Sequence, residues 1–393
     1  MNVKQCVILA GGYGSRLSNI TKHTPKPLIK INGKRFILYL IESLKNQGFN
    51  NFLILTHYKS EKILNFLRKD KSVKIYKEKK KLGTSGCLKN IYNKLENNFF
   101  VLNGDTLFDI NFRDLIYKAK KTKFGCFVAL VKSNNHKGKF SYKIGKNGNV
   151  LEYQKSNSRN IFVSGGVYLI KKKFLKLLNN KSSDLDSDLL AKIFNRKKLY
   201  AKIYDKEFID IGTPKTLRKS KIIIPKIIFK PVCFLDRDGV INEDFGYVAS
   251  KRRFKWKKNI IKTIKFLNNN DYRIIVVSNQ SGIARGFFRE KDVENLNNWI
   301  NYKLNEEGAY ISKFYYCPYH IDGKIKKYKK KSFLRKPNPG MLFKANKEFK
   351  INKSRTFLIG DKDTDILAAS RFGIKSYIVK KNIFNQVRNI IKK

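Results

Sequence analysis

The hydrophobic positions of this chain come in short runs that alternate with longer amphipathic segments. Continuous apolar runs predict buried strands, and the clearest are residues 7–9, 52–55, 73–76, 99–102, 232–235, 274–277 and 357–359. Between them, residues 36–45 and 61–67 carry apolar side chains at helical spacing, and Gly48 is placed to end the first of these helices. This alternation predicts doubly wound α/β domains, in which ligands bind beyond the carboxyl ends of the strands.

A cluster of glycines follows the first predicted strand, in the sequence LAGGYGSRLSNITKHTPKPL. Glycines let backbone N–H groups approach a phosphate chain closely, and Arg16 and Lys26 add positive charge to the turn. The residues expected to contact the phosphates are Gly11, Gly12, Gly14 and Ser15. A dinucleotide-binding loop would need a third glycine at Leu17, and a Walker loop would need Gly-Lys-Ser/Thr. We interpret the turn as a triphosphate-binding loop, with an ordinary structural turn as the alternative.

Two aspartates in the same half of the chain each follow an apolar run. Asp105 ends the strand predicted at residues 99–102, and Asp210 lies in the sequence FIDIGTP. Mg²⁺ prefers one or two carboxylates together with phosphate oxygens from the substrate. The pair therefore predicts a magnesium site opposite the glycine-rich turn.

The spacing GGxGSR followed by TPKPL resembles the signature of the sugar-phosphate nucleotidyltransferases, which join a sugar 1-phosphate to a nucleoside triphosphate and release pyrophosphate. The resemblance covers about residues 3–220 and is closest to the guanylyltransferases acting on D-glycero-α-D-manno-heptose 1-phosphate. It implies a Rossmann-like, GT-A-like domain over residues 1–221. It also implies that Arg16 and Lys26 stabilise the pyrophosphate leaving group.

The same resemblance implies a base-binding side and a sugar-binding side. On the base side it points to Glu78 and to Gly83 in LGTSG, which we expect to be a loop. Glu78 could accept the N1–H and N2–H of guanine, although a solvated glutamate in a lysine-rich turn is an equal alternative. On the sugar side, Lys155 in EYQKS matches the lysine that contacts the sugar phosphate. The pair expected beneath the sugar ring is Gly165 and Gly166.

A second domain is predicted after the segment 222–231, IIIPKIIFKP, whose two prolines we expect to stop the preceding helix and form a linker. Residues 232–235 then form a strand that ends in DRDGVIN. Asp236 is placed to attack phosphorus, and Asp238, held protonated, to give its proton to the leaving alcohol. A surface turn is the alternative. A calcium loop would need a glutamate that is missing here, and the preceding strand also argues against it.

Three further motifs follow in order. The strand at 274–277 ends in SNQSG, where Ser278 and Asn279 can hold a phosphate, and RKP brings Arg335 and Lys336 to neutralise it. The strand at 357–359 ends in GDKDTD. The predicted Mg²⁺ ligands of this domain are Asp236, Asp238 and Asp361. Together these motifs resemble the haloacid dehalogenase (HAD) phosphatase superfamily, which implies an HAD-like fold for residues 232–393.

Within that superfamily, the motifs resemble the D-glycero-D-manno-heptose 1,7-bisphosphate 7-phosphatases, with histidinol phosphatases as near relatives. Members usually carry a zinc loop with CPHH and a later CxC. Here the first half reads Cys317-Pro318-Tyr319-His320, and Ser332 and Leu334 occupy the later cysteine positions, so one clear ligand of four remains. We therefore predict no structural zinc site, and the sequence does not explain what orders the lysine-rich loop that replaces it.

Composition adds a strong positive charge to this picture. Among 393 residues the formal net charge is +55, which favours a polyanion partner in general. The lysines, however, are spread along the whole chain, so we expect small anionic substrates, namely sugar phosphates and a nucleoside triphosphate, and neither specific nucleic acid nor membrane binding. Five widely spaced cysteines and the lack of a membrane-length apolar run predict a cytoplasmic protein without a disulfide framework.

The two resemblances share an intermediate, because removing the 7-phosphate leaves heptose 1-phosphate for nucleotidyl transfer. The sequence therefore predicts a bifunctional enzyme of nucleotide-activated heptose synthesis, with GTP as the expected nucleotide and Mg²⁺ at both sites. One alternative is another sugar 1-phosphate, with UTP or dTTP, joined to a histidinol-phosphatase-like domain. The other is a polyanion-binding protein built on catalytic folds, which gains nothing from aspartates clustered at strand ends.

Overall fold

The structure is a computed structural model that describes residues 1, 3–133, 139–156, 161–179 and 182–392. The chain divides into two compact units, Met1–Ile227 and Ile228–Lys393. The division falls inside the segment 222–231 that the sequence suggested as a linker. Of the helices described, none is long and apolar enough to cross a bilayer.

The first unit is built on a seven-stranded sheet, together with three two-stranded pairs in the described residues. Its strands are β1 (Gln5–Leu9), β2 (Lys30–Ile31), β3 (Lys34–Arg35), β4 (Asn51–Thr56), β5 (Val73–Lys77), β6 (Asn98–Asn103), β7 (Thr106–Phe108), β8 (Cys126–Ser133), β9 (Lys139–Ile144), β10 (Val150–Ser156), β11 (Ile161–Lys171), β12 (Leu199–Ile203) and β13 (Phe208–Asp210). The large sheet has the order β12-β8-β11-β6-β1-β4-β5. Only β11 runs antiparallel to its neighbours in it.

Cys6, Val7 and Ile8 of β1 point alternately to opposite sides of this sheet, and all three are buried. Both faces of the sheet are therefore covered, and helices provide the cover. The helices are α1 (Ser18–Thr21), α2 (Phe36–Lys45), α3 (Ser60–Leu67), α4 (Gly83–Asn90), α5 (Phe112–Lys120), α6 (Ala191–Asn195) and α7 (Pro214–Ile228). Helix α2 spans the residues that its periodicity predicted, and Gly48 follows its end at φ 80°.

Two local predictions were wrong in this unit. LGTSG is not a loop, because α4 begins within it at Gly83. The proline-containing segment does not stop α7, which continues through Pro225. Proline has no N–H for the carbonyl four residues earlier, on Lys221. The side chain of Asn32 donates to that carbonyl over 2.9 Å, so the group freed by the proline is still hydrogen-bonded.

The second unit has a five-stranded, fully parallel sheet in the order β16-β15-β14-β17-β18. Its strands are β14 (Val232–Leu235), β15 (Arg273–Asn279), β16 (Lys313–Cys317), β17 (Phe357–Gly360) and β18 (Lys375–Ile378). Its helices are α8 (Ile260–Asn269), α9 (Glu290–Glu306), α10 (Gly340–Phe349), α11 (Asp363–Phe372) and α12 (Ile383–Lys392).

Alternate residues of β14 enter two separate cores. Cys233 and Leu235 pack with apolar residues of α8, α9 and α12. Val232 and Phe234 pack with residues of α10 and α11 on the other face. Because both faces are covered, the α/β prediction is confirmed, and the carboxyl ends of β15, β14 and β17 lie side by side at one edge.

Candidate active sites

The glycine-rich turn after β1 lies at the mouth of a cavity of about 300 Å³. Gly14 adopts φ 71°, and a Cβ there would meet the Thr21 side chain at 2.7 Å. Only glycine accepts that position without strain. The predicted residues that line the cavity are Gly11, Gly12, Lys26, Glu78, Gly83 and Asp105. Gly14, Ser15 and Arg16 lie in the same turn but are not among the lining residues.

The two predicted metal ligands of the first unit are brought together by strand pairing. Asp210 ends β13 opposite Thr106 of β7, and the Ile211 N–H donates to the Asp105 carbonyl over 3.0 Å. Burial raises the pKa of Asp210, and the Asp105 carboxylate raises it further. Lys26 Nζ lies 2.7 Å from Asp105 Oδ2, so the predicted phosphate-binding lysine forms an ion pair with a predicted metal ligand.

Arg16 is exposed, and its Nη2 lies 3.3 Å from where a Cβ on Gly212 would stand. The Gly212 N–H in turn donates to the Asp210 carboxylate. Arg16 therefore lies beside the predicted metal ligand Asp210 and does not line the cavity. That location is compatible with binding a phosphate oxygen that reaches out of the cavity.

Glu78 is buried in the wall of this cavity, with 8% of its surface exposed. Its Oε1 has no hydrogen-bond partner, and its Oε2 lies 3.3 Å from where a Cβ on Gly11 would stand. Burial raises the pKa of Glu78, although His57 lowers it. The alternative of a solvated surface glutamate is wrong, because the side chain is buried in the cavity wall.

The predicted sugar-side residues lie outside this cavity. Gly165 and Gly166 occupy a bulge where the pairing of β11 with β8 shifts. A Cβ on Gly166 would stand 2.9 Å from Asn103 Nδ2, and one on Gly165 would collide with Phe108. Lys155 is exposed on β10, next to the pair formed by Ser156 and Lys139. Burial raises the pKa of Asp210, and the positive charge of Lys139 opposes that rise.

Asp184 also lines the cavity, and the sequence reasoning missed it. Its segment is fixed to the start of α4, because the Ser85 N–H donates to the Ser183 carbonyl over 3.0 Å and the Leu185 N–H donates to Thr84 Oγ1 over 2.7 Å. These partners are about a hundred residues apart in sequence. Local patterning gives no signal for such a contact.

In the second unit, three carboxylates meet at the edge formed by β14 and β17. Oxygens of Asp236, Asp361 and Asp365 all lie within 4.8 Å of one another. Asp361 Oδ1 is buried without a hydrogen-bond partner. Three converging carboxylates, one with an unpaired oxygen, fit a hard divalent cation such as Mg²⁺. Gly239 of DRDG has φ 85°, and any side chain there would collide with Asp361.

Lys336 lies in the middle of this group and is 3% exposed. Its Nζ is 3.0 Å from Asp236 and 2.5 Å from Asp365. Burial lowers the pKa of Lys336, but the two carboxylates outweigh it and raise the pKa above its ordinary value. Burial raises the pKa of Asp236 to about 7, with Lys336 lowering it and the Asp365 carboxylate raising it. Asp365 was missed, although an acidic residue four positions after Asp361 was a usable signal.

Asp238 differs from its predicted role as a metal ligand. Its carboxylate accepts hydrogen bonds from Arg237 at 2.9 Å, Asn242 at 2.9 Å and Gln280 at 2.8 Å, and it lies outside the group of three carboxylates. Its side chain is therefore not a member of the metal group as predicted. Its Oδ2 lies 2.9 Å from Nη2 of the buried Arg237, a contact that the sequence did not suggest.

The phosphate-binding residues surround a second cavity, of about 440 Å³. The predicted residues that line it are Asp236, Asp238, Ser278, Asn279, Arg335 and Lys336. Ser278 Oγ accepts a hydrogen bond from Gln280, the same side chain that donates to Asp238. Asn279 exchanges two hydrogen bonds with the Lys336 backbone, at 3.0 and 3.1 Å. It therefore positions the lysine loop, a role that the sequence did not suggest.

The loop in which one zinc ligand of four remains is joined to the rest of the unit by protein contacts. Glu290 accepts hydrogen bonds from Tyr316 and Tyr328, at 3.0 and 2.5 Å. The His320 N–H donates to the Tyr328 carbonyl over 3.2 Å, and the Ile325 N–H donates to Ala284 over 2.9 Å. These bonds join the loop to α9 and to Ala284, two residues beyond the SNQSG segment.

Comparison with known proteins assigns both units. Residues 5–225, more than half of the chain, match the family described as nucleotidyl transferase. The chain belongs to that family. Residues 333–389 match the family described as HAD-hydrolase-like. A solved structure of a candidate glucose-1-phosphate thymidylyltransferase from Bacillus anthracis is 22% identical and covers 57% of this chain and 95% of that chain, with a TM-score of 0.52. It supports the fold of the nucleotidyl transferase unit.

This nucleotidyl transferase is also similar to curated phosphatases. D-glycero-beta-D-manno-heptose-1,7-bisphosphate 7-phosphatase of Rhodopseudomonas palustris is 40% identical over 148 residues, which are 38% of this chain and 82% of the relative. D-glycero-alpha-D-manno-heptose-1,7-bisphosphate 7-phosphatase of Photorhabdus laumondii is 39% identical over 150 residues, 38% of this chain and 82% of the relative. The chain therefore also belongs to this phosphatase family. Both family resemblances are confirmed.

Proposed function

We propose that the chain removes the 7-phosphate from D-glycero-D-manno-heptose 1,7-bisphosphate and joins the resulting heptose 1-phosphate to GMP from GTP, releasing pyrophosphate. The observation that carries the proposal is the presence, in one chain, of a nucleotidyl transferase and of a unit 40% identical to a phosphatase named for that bisphosphate. The product of the second unit belongs to the acceptor class of the first. Named relatives act on either anomer, so the anomer is one variable of the test.

In the phosphatase unit, Asp236 is the proposed nucleophile. Its carboxylate forms a bond to phosphorus while the bond from phosphorus to the sugar oxygen breaks. Lys336, Ser278 and backbone N–H groups stabilise the charge on the phosphoryl oxygens. Asp238, in its protonated form, gives its proton to the oxygen of the leaving alcohol. It then takes a proton from the water that hydrolyses the aspartyl phosphate.

Mg²⁺ is the proposed cofactor of both units. Asp236, Asp361 and Asp365 would hold it in the phosphatase, and Asp105 and Asp210 in the nucleotidyl transferase. When bound, the ion neutralises phosphate oxygens next to the reacting phosphorus. The chain supplies the carboxylates and, through Lys26 and Lys336, a cation of its own beside each group.

A second phosphate on the phosphatase substrate is supported by Arg335, which lines the cavity, and by Arg285, which is near Arg335 but does not line the cavity. Arg335 lines the cavity, and both burial and the nearby Arg285 guanidinium lower its pKa. Arg285 Nε is buried without a hydrogen-bond partner. Two guanidinium groups held close together repel each other, and an anion between them removes that cost. A bisphosphate provides such an anion, whereas a monophosphate bound at Asp236 does not.

In the nucleotidyl transferase unit, an oxygen of the sugar 1-phosphate attacks the α-phosphorus of the nucleotide. Arg16 and Lys26 stabilise the departing pyrophosphate, while Gly11 and Gly12 provide backbone N–H groups. Glu78 supports guanine, because its unpaired Oε1 can accept a base N–H and adenine has no pair of N–H groups in that arrangement. The substrates are small molecules, and we propose a cytoplasmic location, which suits five buried free cysteines.

A substrate panel on the intact protein tests the proposal. The sugars are the α- and β-anomers of the heptose 1,7-bisphosphate and a hexose 1-phosphate, each with Mg²⁺ and with GTP, ATP, UTP or dTTP. We expect phosphate release from a heptose bisphosphate, followed by a GDP-heptose and pyrophosphate. Nucleotidyl transfer to the hexose 1-phosphate but to no heptose would overturn the shared-pathway proposal.

A further inference from the structure

The segment 244–247 follows the DRDGVIN motif, and its residues Asp244, Gly246 and Tyr247 line the phosphatase cavity. Nothing in the reaction described above uses it. Tyr247 is 44% exposed and adopts φ 53°, in the left-handed region. A bulky residue held there stores strain, and such residues cluster at functional sites.

Contacts on both sides hold this segment in place. Arg253 Nη2 donates to the carbonyls of Phe245 and Gly246, at 2.7 and 2.9 Å. The Gly246 N–H donates to Asp244 Oδ1 over 3.0 Å, and Lys362 Nζ donates to Asp244 Oδ2 over 3.1 Å. The strained tyrosine is therefore fixed relative to the metal-binding carboxylates and does not belong to a loosely held loop.

The Tyr247 ring is also supported from behind. Phe287, itself 59% exposed, contacts it edge to face with 4.7 Å between ring centroids. Tyr247 and Arg335 both line this cavity, so the tyrosine is an aromatic part of a wall that also carries charged residues.

We propose that Tyr247 is a specificity-determining residue of the phosphatase, and that its ring packs against the C–H face of the sugar skeleton while the phosphate lies at Asp236. Sugars present such an apolar face, and an aromatic wall recognises it without fixing a hydroxyl pattern. This inference rests on a sugar phosphate being the substrate. It does not depend on which sugar that is.

The test compares Tyr247→Ala and Tyr247→Phe with the wild type on sugar phosphates and on acetyl phosphate, which is too small to reach the ring. For each sugar phosphate that the wild type hydrolyses, Tyr247→Ala should raise KM about tenfold, the loss expected for an aromatic contact of about 1.4 kcal/mol. Its kcat should change little. Tyr247→Phe should keep a nearly normal KM, because the ring remains. Turnover of acetyl phosphate should be unchanged in both variants.

Tyr302→Ala is the matched control, since Tyr302 is 46% exposed in the same unit and is not among the residues lining the cavity. It should leave all constants unchanged. An unchanged KM in Tyr247→Ala, or an equal loss on acetyl phosphate, would overturn the inference, and so would a wild type that hydrolyses acetyl phosphate but no sugar phosphate. If hexose but not heptose phosphates are hydrolysed, the proposed function fails while the Tyr247 inference is still decided by the same comparison.

Discussion

The two units hold their proposed metal ligands in different surroundings. In the phosphatase unit, Asp236, Asp365 and Lys336 are almost fully buried and form direct ion pairs. In the nucleotidyl transferase unit, Asp105 keeps 27% of its side chain exposed and forms one ion pair, with Lys26. The first arrangement is assembled by the protein alone, whereas the second leaves more of its coordination to substrate oxygens.

The difference follows from the chemistry that each unit is proposed to perform. A carboxylate that attacks phosphorus must be desolvated yet prevented from neutralising, and buried Lys336 opposes the rise in the pKa of Asp236. A nucleotidyl transferase has no protein nucleophile. Its two substrates bring the phosphate oxygens, so positioning and charge are sufficient. We expect the phosphatase site to depend more strongly, in both activity and stability, on each of its charged residues.

The largest effect should come from separating the two activities. Asp236→Asn should lower phosphatase turnover by at least about 10³-fold, because loss of a covalent nucleophile removes the main reaction path. Nucleotidyl transfer to heptose 1-phosphate should be unchanged. Phosphate release and pyrophosphate release, measured separately on the same preparation, check this. Phosphatase turnover at the normal rate would show that Asp236 is not the nucleophile.

The second-largest effect should be on stability, because the charged groups of the second unit are more deeply buried than those of the first. Without added Mg²⁺, Lys336→Met should lower the free energy of unfolding of the second unit by about 3 kcal/mol, because it leaves buried carboxylates unpaired. Lys26→Met should cost about 1 kcal/mol or less in the first unit, since its partner is partly exposed.

Tryptophan fluorescence during denaturant unfolding can measure the Lys336 effect selectively. The two tryptophans of the chain, Trp256 and Trp299, both lie in the second unit. Lys26→Met serves as the control and should leave that transition unmoved. Equal shifts of the fluorescence transition in both variants would contradict the expected difference between Lys336 and Lys26 in their contribution to stability.

A smaller effect is expected at the base-binding wall. Glu78→Gln should raise the KM for GTP about tenfold, because an amide presents a donor where guanine also donates. The raised pKa of Glu78 means that it is protonated at a higher pH than an ordinary glutamate. The KM of the wild type for GTP should therefore rise as the pH is lowered below neutrality, and that of Glu78→Gln should not. A KM for GTP that is insensitive to both changes would exclude base recognition by Glu78.

The smallest effect should follow treatment with a zinc chelator. Because Glu290 and Tyr328 hold the lysine-rich loop, chelation followed by restoration of Mg²⁺ should leave phosphatase activity and the midpoint of thermal unfolding unchanged. Glu290→Gln should instead lower that midpoint by a few degrees, about the shift that 1 kcal/mol produces in a domain of this size. Stoichiometric zinc by elemental analysis would contradict this account of the loop.

The fold was predicted well from the sequence, because the helices and strands that build it are determined by local patterning. Helix α2 and strand β14 have their predicted bounds, since periodicity and continuous apolar runs determine them directly. The continuation of α7 through Pro225 was missed, because its compensating hydrogen bond comes from Asn32, almost two hundred residues away.

The sites were predictable to the extent that their residues follow strands. Asp236 and Asp361 do so, whereas Asp184 reaches its cavity through contacts distant in sequence. The hydrogen bonds from Asn242 and Gln280 that hold the Asp238 carboxylate come from separate turns, so local patterning gave no signal for them. The strain at Tyr247 is visible only in the backbone. Local pattern thus locates reactive groups, and tertiary contacts decide their charge state and support.

The central claim, that one chain carries two separable sites acting in sequence, is tested most directly by mixing two variants. Asp236→Asn retains nucleotidyl transfer and Asp105→Ala retains phosphatase activity, so neither alone should convert heptose 1,7-bisphosphate, GTP and Mg²⁺ into GDP-heptose. We predict that the mixture, followed by phosphorus NMR, releases phosphate first and then forms GDP-heptose and pyrophosphate. A mixture that forms no GDP-heptose, although each variant keeps its own half-reaction, would contradict the claim.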